Sequence, residues 1–260
     1  MVSLLDTCSL DISFDVENNK IVYGENVQPA TTNKVSLRQL IPTLLNKSLS
    51  YPEEVYEEHN RVRSNNDQET FSKTEISFDV ICLPAGLLGV EYIKTHIYFT
   101  PDKSPDSQAL TKFSTIIEVQ YGILTVIMQK NQPKNEFDFE TQVGEGLLVK
   151  VRKGQKFVIP QGYFYTFVNT EDVPVLFVRI YKKNAILDYS LLRRERGLAY
   201  YCIRKNARQE IVLNPLYRNS PRIREIAPEV FWKDFEMDWK IALYELLKQR
   251  MMVLEEVLWS

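Results

Sequence analysis

Between Thr74 and Leu213 the hydrophobic residues fall in short runs rich in Val, Ile, Phe and Tyr, separated by Gly, Pro and Asn. The runs are EISFDVICL, VEYIKTHIYFT, FSTIIEVQ, ILTVIMQK, GLLVKVRK, FVIP, FYTFVN, PVLFVRIYKK, AYYCIRK and EIVLN. Runs of this length and composition predict about ten strands. No helical period separates them, so the pattern predicts a β-sandwich or barrel rather than an α/β sheet. On either side the period changes. SLRQLIPTLLNKS has Ser36 and Gln39 at capping-box spacing and Leu37, Leu40, Leu44 and Leu45 on one side, which predicts a short amphipathic helix that Pro42 kinks or restarts. PEEVYEEHNRVRSNNDQE predicts a second, mostly polar helix, with His59 facing solvent. After Pro215, the positions of Trp232, Phe235, Trp239, Leu243 and Leu246, continued by Leu247, Met251, Leu254 and Leu258, predict one long helix or two, with Pro228 in the first turn. The organisation read from these changes is an N-terminal arm with short helices (1–73), a β-core (74–217) and a C-terminal helical extension (218–260).

Composition narrows the classes. With 260 residues and 44% hydrophobic content, the chain is long enough for one substantial core with appendages. Its 32 basic and 34 acidic residues give a net charge of −2, which predicts no general electrostatic affinity for nucleic acid or anionic lipid. Cys8, Cys82 and Cys202 are far apart, odd in number and without CxxC spacing, so they predict neither a disulfide framework nor a zinc knot. No Lys or Arg precedes Lys20 and no run of eighteen apolar residues occurs, so neither a signal peptide nor a membrane span is expected. A cytoplasmic protein is the expectation.

The stretch GQKFVIPQGYFYTFVN, residues 154–169, sets Gly154, Pro160, Gly162, Tyr165 and Asn169 at the spacing of a metal-binding β-barrel half-motif, with a phenol where the frame calls for a histidine. Upstream, PAGLLGVEYIKTHIYFTP keeps Pro84, Gly86, Gly89, Glu91, Tyr92, Lys94, Thr95 and Pro101 in the order of a PPGxxGxEYxKTxGHYHP pattern. YKKNAILDYSLL stands where YPxxAGHDYxxI is expected, and NPLY closes the series at 214–217. In these motifs the chain resembles the cupin-type glucose-6-phosphate isomerases, a family found mainly in archaea. The resemblance covers residues 75–217 and implies a cupin, a jelly-roll β-barrel, for the all-β core.

The resemblance also implies a divalent metal ion held by four side chains. Its two paired histidines fall here on Tyr98 and Thr100, its glutamate on Thr115 and its last histidine on Tyr165. Phenols and a threonine hydroxyl are poor ligands for such an ion at neutral pH. No metal, cofactor or catalytic residue is therefore expected. Glu118 cannot substitute in register, because it lies an odd number of residues from Thr115 and so faces the other side of a regular strand. Thr95, Tyr181 and Tyr189 retain positions that the resemblance assigns to sugar-phosphate contacts, whereas Ile81 and Leu187 have become aliphatic, which predicts a hydrophobic fill. His96 shares strand parity with Tyr98 and reads as a hydrogen-bonded rim residue, or else as a lone ligand.

Two functions follow as expectations. One is a barrel that has lost metal and catalysis and works as a scaffold or subunit, meeting a protein partner or a second copy through its surface and C-terminal helix. The apolar face of that helix either packs on its own barrel or docks to the partner. The other is a surviving glucose-6-phosphate isomerase or sugar-phosphate-binding protein.

Overall fold

A computed structural model of the chain describes residues 1–72, 76–99, 115–132, 142–182, 195–231 and 238–249. Among these residues two antiparallel sheets face each other. One is six-stranded, in the order Lys156–Ile159, Thr115–Tyr121, Val175–Lys182, Ile76–Leu83, Glu54–Asn60 and Thr31–Ser36. The other runs Tyr98–Phe99, Tyr163–Val168, Ile123–Asn131 and Val143–Arg152, with Arg224–Ile226 added in parallel at its edge. The inward side chains of both, among them Ile117, Val119, Val126, Met128, Val149, Phe167 and Phe177, form the central core.

Both sheets are covered outside as well. Phe78, Val80, Ile116, Val178 and Ile180, on the back of the six-stranded sheet, pack against Ile12 and Phe14 of an N-terminal three-stranded sheet, against Leu4 just after its first strand, and against Leu243, Leu246 and Leu247 of the helix Leu243–Gln249. Ile127, Phe164 and Val168, on the back of the other sheet, meet Tyr92, Tyr200 and Cys202 of a smaller four-stranded sheet. Burial on two faces explains why strands such as Ile76–Leu83 read as nearly continuous apolar runs instead of alternating. The three cysteines are buried and unbridged.

The expected strands appear, and the capping box of Ser36 and Gln39 opens the helix Leu37–Leu40, which Pro42 continues as a 3-10 turn. Two expectations are corrected. Residues Glu54–Asn60 form a strand, not a helix, because pairing with Ile76–Leu83 and Thr31–Ser36 outweighs the helix preference of the glutamates. His59 on that strand is accordingly buried, its ring 5.5 Å from that of Tyr23, and burial lowers its pKa against the opposing pull of Glu57. Of the C-terminal pattern, Leu243–Gln249 is helical, while Trp239 lies in a turn before it. Trp232, Phe235, Met251, Leu254 and Leu258 lie outside the described residues. The described apolar side of this helix packs on its own chain, which decides that alternative for these residues. No described helix is long and apolar enough to cross a membrane.

Candidate functional site

The half-motif frame is built by local turn chemistry. Gly154 and Gly162 adopt φ values of +79° and +74°, conformations that a side chain disfavours. Asn169 is fully buried, and its Nδ2 lies within 3.1 Å of the carbonyls of Leu83, Pro84 and Val173 while its Oδ1 accepts from the amide of Glu171. These contacts tie the end of Tyr163–Val168 to the end of Ile76–Leu83, so the frame has a folding duty independent of any ligand. Asn169→Ala strands several buried carbonyls, and we expect it to cost about 2–3 kcal/mol in urea unfolding. A loss within error of zero would show the frame to be dispensable.

Glu91 and Lys94 of the upstream motif are likewise structural. The Lys94 ammonium donates to Glu91 at 2.7 Å and to the carbonyl of Thr43 at 2.9 Å, and Glu91 accepts from the amide of Leu45. Together they pin the segment that follows the helix Leu37–Leu40. The Thr95 hydroxyl is committed to the carbonyl of His96 and the amide of Phe167.

Tyr98, Thr115 and Tyr165 do come together inside the barrel. Tyr98 and Tyr165 are directly paired across strands, with ring centroids 5.5 Å apart. The Tyr165 hydroxyl is 2.9 Å from that of Thr115, and both residues are buried. Phe167 closes the cluster from beside both rings, at 5.8 Å from Tyr98 and 5.5 Å from Tyr165. The Tyr98 hydroxyl donates to Glu58, and burial, reinforced by the negative charge of Glu58, pushes the Tyr98 pKa well above the ordinary phenol value. A neutral phenol engaged in this way does not supply the anionic or imidazole donor that a divalent ion requires. These three positions therefore do not fit the metal, and no grouping of three His, Cys, Asp or Glu suited to a metal occurs among the described residues. Thr100 and Tyr189 lie outside those residues.

The expectation of a hydrophobic fill needs correction. Ile81 is buried as an aliphatic wall, but beside it lies a charged network that the sequence reading missed. Arg179 is 3.0 Å from Asp79, directly across the strand pair, and its guanidinium carbon sits 4.3 Å from the ring centres of both Tyr98 and Tyr181. Asp79 also accepts from Ser77 at 2.7 Å and from the amide of Arg61 at 3.0 Å. Glu58 accepts from Tyr56 at 3.3 Å besides Tyr98. The signal was visible as a single Asp inside EISFDVICL and a single Arg inside PVLFVRIYKK, each a charge within an apolar run.

His96 is half-buried, edge-on to Tyr56 at 6.3 Å, with its backbone amide donating to the Tyr56 hydroxyl, and burial lowers its pKa. Glu118 faces away from Thr115, as its parity requires, and pairs with Lys156 on the outer face of the sheet.

The model of the family described as glucose-6-phosphate isomerase matches residues 39–216, more than half of the chain. The chain belongs to this family. Among curated members, the glucose-6-phosphate isomerase of Pyrococcus horikoshii is 30% identical over 80 residues, covering 31% of this chain and 42% of that protein. The Thermococcus kodakarensis isomerase is 24% identical over 146 residues, covering 55% and 66%. The chain thus spans less than two thirds of the length of either relative. Among solved structures, the oxalate decarboxylase of Bacillus subtilis is 11% identical, with a TM-score of 0.35, covering 65% of this chain and 32% of that one. The Lactobacillus farciminis oxalate decarboxylase formate complex is 14% identical, with a TM-score of 0.35, covering 56% and 34%. Family membership and a cupin barrel are consistent with each motif residue placed above. Glu91, Lys94 and Asn169, three residues of these motifs, hold turns and segments in place.

Proposed function

We propose that this member of the glucose-6-phosphate isomerase family has given up metal binding and catalysis and serves as a scaffold or subunit of a protein assembly, meeting a protein partner or a second copy through its barrel surface. The observation that carries the reading is the 2.9 Å contact between the Thr115 and Tyr165 hydroxyls. Two positions that the family resemblance assigns to metal ligands satisfy each other and need nothing between them. Isomerisation of a sugar phosphate requires a group that polarises the carbonyl and a base that moves a proton between adjacent carbons. Neither is present in a pair of neutral hydroxyls.

A second reading, binding of a sugar phosphate with or without turnover, draws on family membership and on Thr95 and Tyr181 at retained positions. Purified protein separates the two. We expect less than stoichiometric Mn, Fe, Ni and Zn by elemental analysis, no fructose-6-phosphate conversion above background in a coupled assay, and no thermal shift with 6-phosphogluconate. Stoichiometric metal together with turnover would overturn the scaffold reading. A thermal shift without turnover would move it to a sugar-phosphate sensor.

A further inference from the structure

The buried network beside the former ligand positions carries more than packing. Arg179 and Asp79 sit opposite each other on the neighbouring strands Val175–Lys182 and Ile76–Leu83, and both are at least 95% buried, with side-chain exposures of 5% and 0%. An arginine so deep must be paired and stacked to be tolerated. Here Asp79 takes one of its nitrogens, and the faces of Tyr98 and Tyr181 lie 4.3 Å from its carbon. Its Nε is buried and has no partner. The guanidinium therefore stays in the barrel although its hydrogen-bonding capacity is only partly used. What holds it is charge, since Asp79 is in contact and Glu58 is one phenol away, bonded to the same Tyr98 that the guanidinium covers.

We infer that Arg179 is the barrel interior's own cation, standing in for the divalent ion of the family and excluding such an ion from positions 98, 115 and 165. This rests on the reading that the chain no longer binds metal, and it adds the reason that the loss is locked in. The resemblance implies an exchangeable ion in a family barrel; in this chain Asp79, Glu58 and the faces of Tyr98 and Tyr181 are served by a covalently attached cation that needs no uptake. A ligand set restored at 98, 115 and 165 would place a second cation close to the first in a medium of low dielectric, where like charges repel strongly.

The test is a comparison of two backgrounds. Tyr98→His, Thr115→Glu and Tyr165→His are combined, once with Arg179 and once with Arg179→Gln, and Asp79→Asn is added if the unpaired carboxylate prevents folding. Mn2+ affinity is measured by isothermal titration. The Arg179 background is expected to bind Mn2+ on the order of 100-fold more weakly than the Arg179→Gln background. Equal affinity in the two, or binding in neither, overturns the inference. Stoichiometric metal with turnover in the unmutated protein would overturn the function proposed above and this inference with it, whereas equal affinities in the two backgrounds would overturn the inference alone, so the two failures are distinct. A second measurement needs no new ligands. In urea unfolding of the otherwise natural chain, Arg179→Lys, which keeps the charge, should lose clearly less stability than Arg179→Gln, which keeps a planar polar group without it. Equal losses would assign Arg179 to packing alone.

Discussion

Lys156→Met should lower stability by about 3–5 kcal/mol at neutral pH and release residues 238–249 from the barrel. Lys156 and Glu118 are cross-strand partners with side-chain exposures of 1% and 5%, joined at 2.6 Å. The same ammonium donates to the carbonyl of Trp239 at 2.9 Å, and the other oxygen of Glu118 accepts from the amide of Leu243 at 2.8 Å. Two charges thus hold both ends of the turn that leads into the C-terminal helix. Removing the ammonium leaves a buried carboxylate without a counter-charge.

The sign of the pH dependence follows from Glu118. Burial raises its pKa above the usual carboxylate value, and Lys156 only partly offsets this. A raised carboxylate pKa gives stability that is complete below the unfolded value and is lost as pH rises through the folded one. Without Lys156 the folded value rises further, so the deficit of the variant should be larger at pH 7 than at pH 5. Adding Glu118→Gln should recover part of the loss. Urea unfolding at the two pH values and limited proteolysis of the C-terminal segment provide the measurements, and a pH-independent loss below about 1 kcal/mol would show that the pair holds little.

Phe167→Ala should cost about 3–5 kcal/mol. Phe167 is fully buried and lies between Tyr98, Tyr165 and Phe177; its carbonyl accepts from the Thr95 amide and its own amide donates to the Thr95 hydroxyl. The truncation opens a space walled by two phenol rings and Phe177, and the strand cannot collapse into it because the Thr95 contacts hold its backbone. Phe167→Leu, which refills much of the volume, should lose clearly less. If both variants unfold at the same urea concentration as the parent, the aromatic cluster is not what fills the barrel.

The strands were legible because the six-stranded sheet is buried on both faces, which writes apolar residues into every position of Ile76–Leu83 and Val175–Ile180 except the charged pair and Ser77. Glu54–Asn60 was not legible. It lies second from that sheet's edge, and its glutamates acquire their meaning from partners far along the chain, Glu58 from Tyr98 and Glu54 and Glu57 from Lys34. No local period encodes such pairing. At the site, the turn-forming frame was readable from spacing, and the opposite facing of Glu118 from parity. Arg179 and Asp79 were visible only as anomalies, since their meeting depends on a strand register that neither run specifies by itself.

The back of the six-stranded sheet joins the two extremes of the described chain. Leu4, Ile12 and Phe14 share one core with Leu243, Leu246 and Leu247, and Tyr244 donates to Asp67 while accepting from the amide of Ser64. During synthesis the core around the N-terminal sheet, which ends at Tyr23, stays incomplete until the helix Leu243–Gln249 has been made. Contacts of such sequence separation also make for slow folding. A nascent chain stalled before residue 243 would present that incomplete core to chaperones, and completion of the C-terminal helix is the step that closes it.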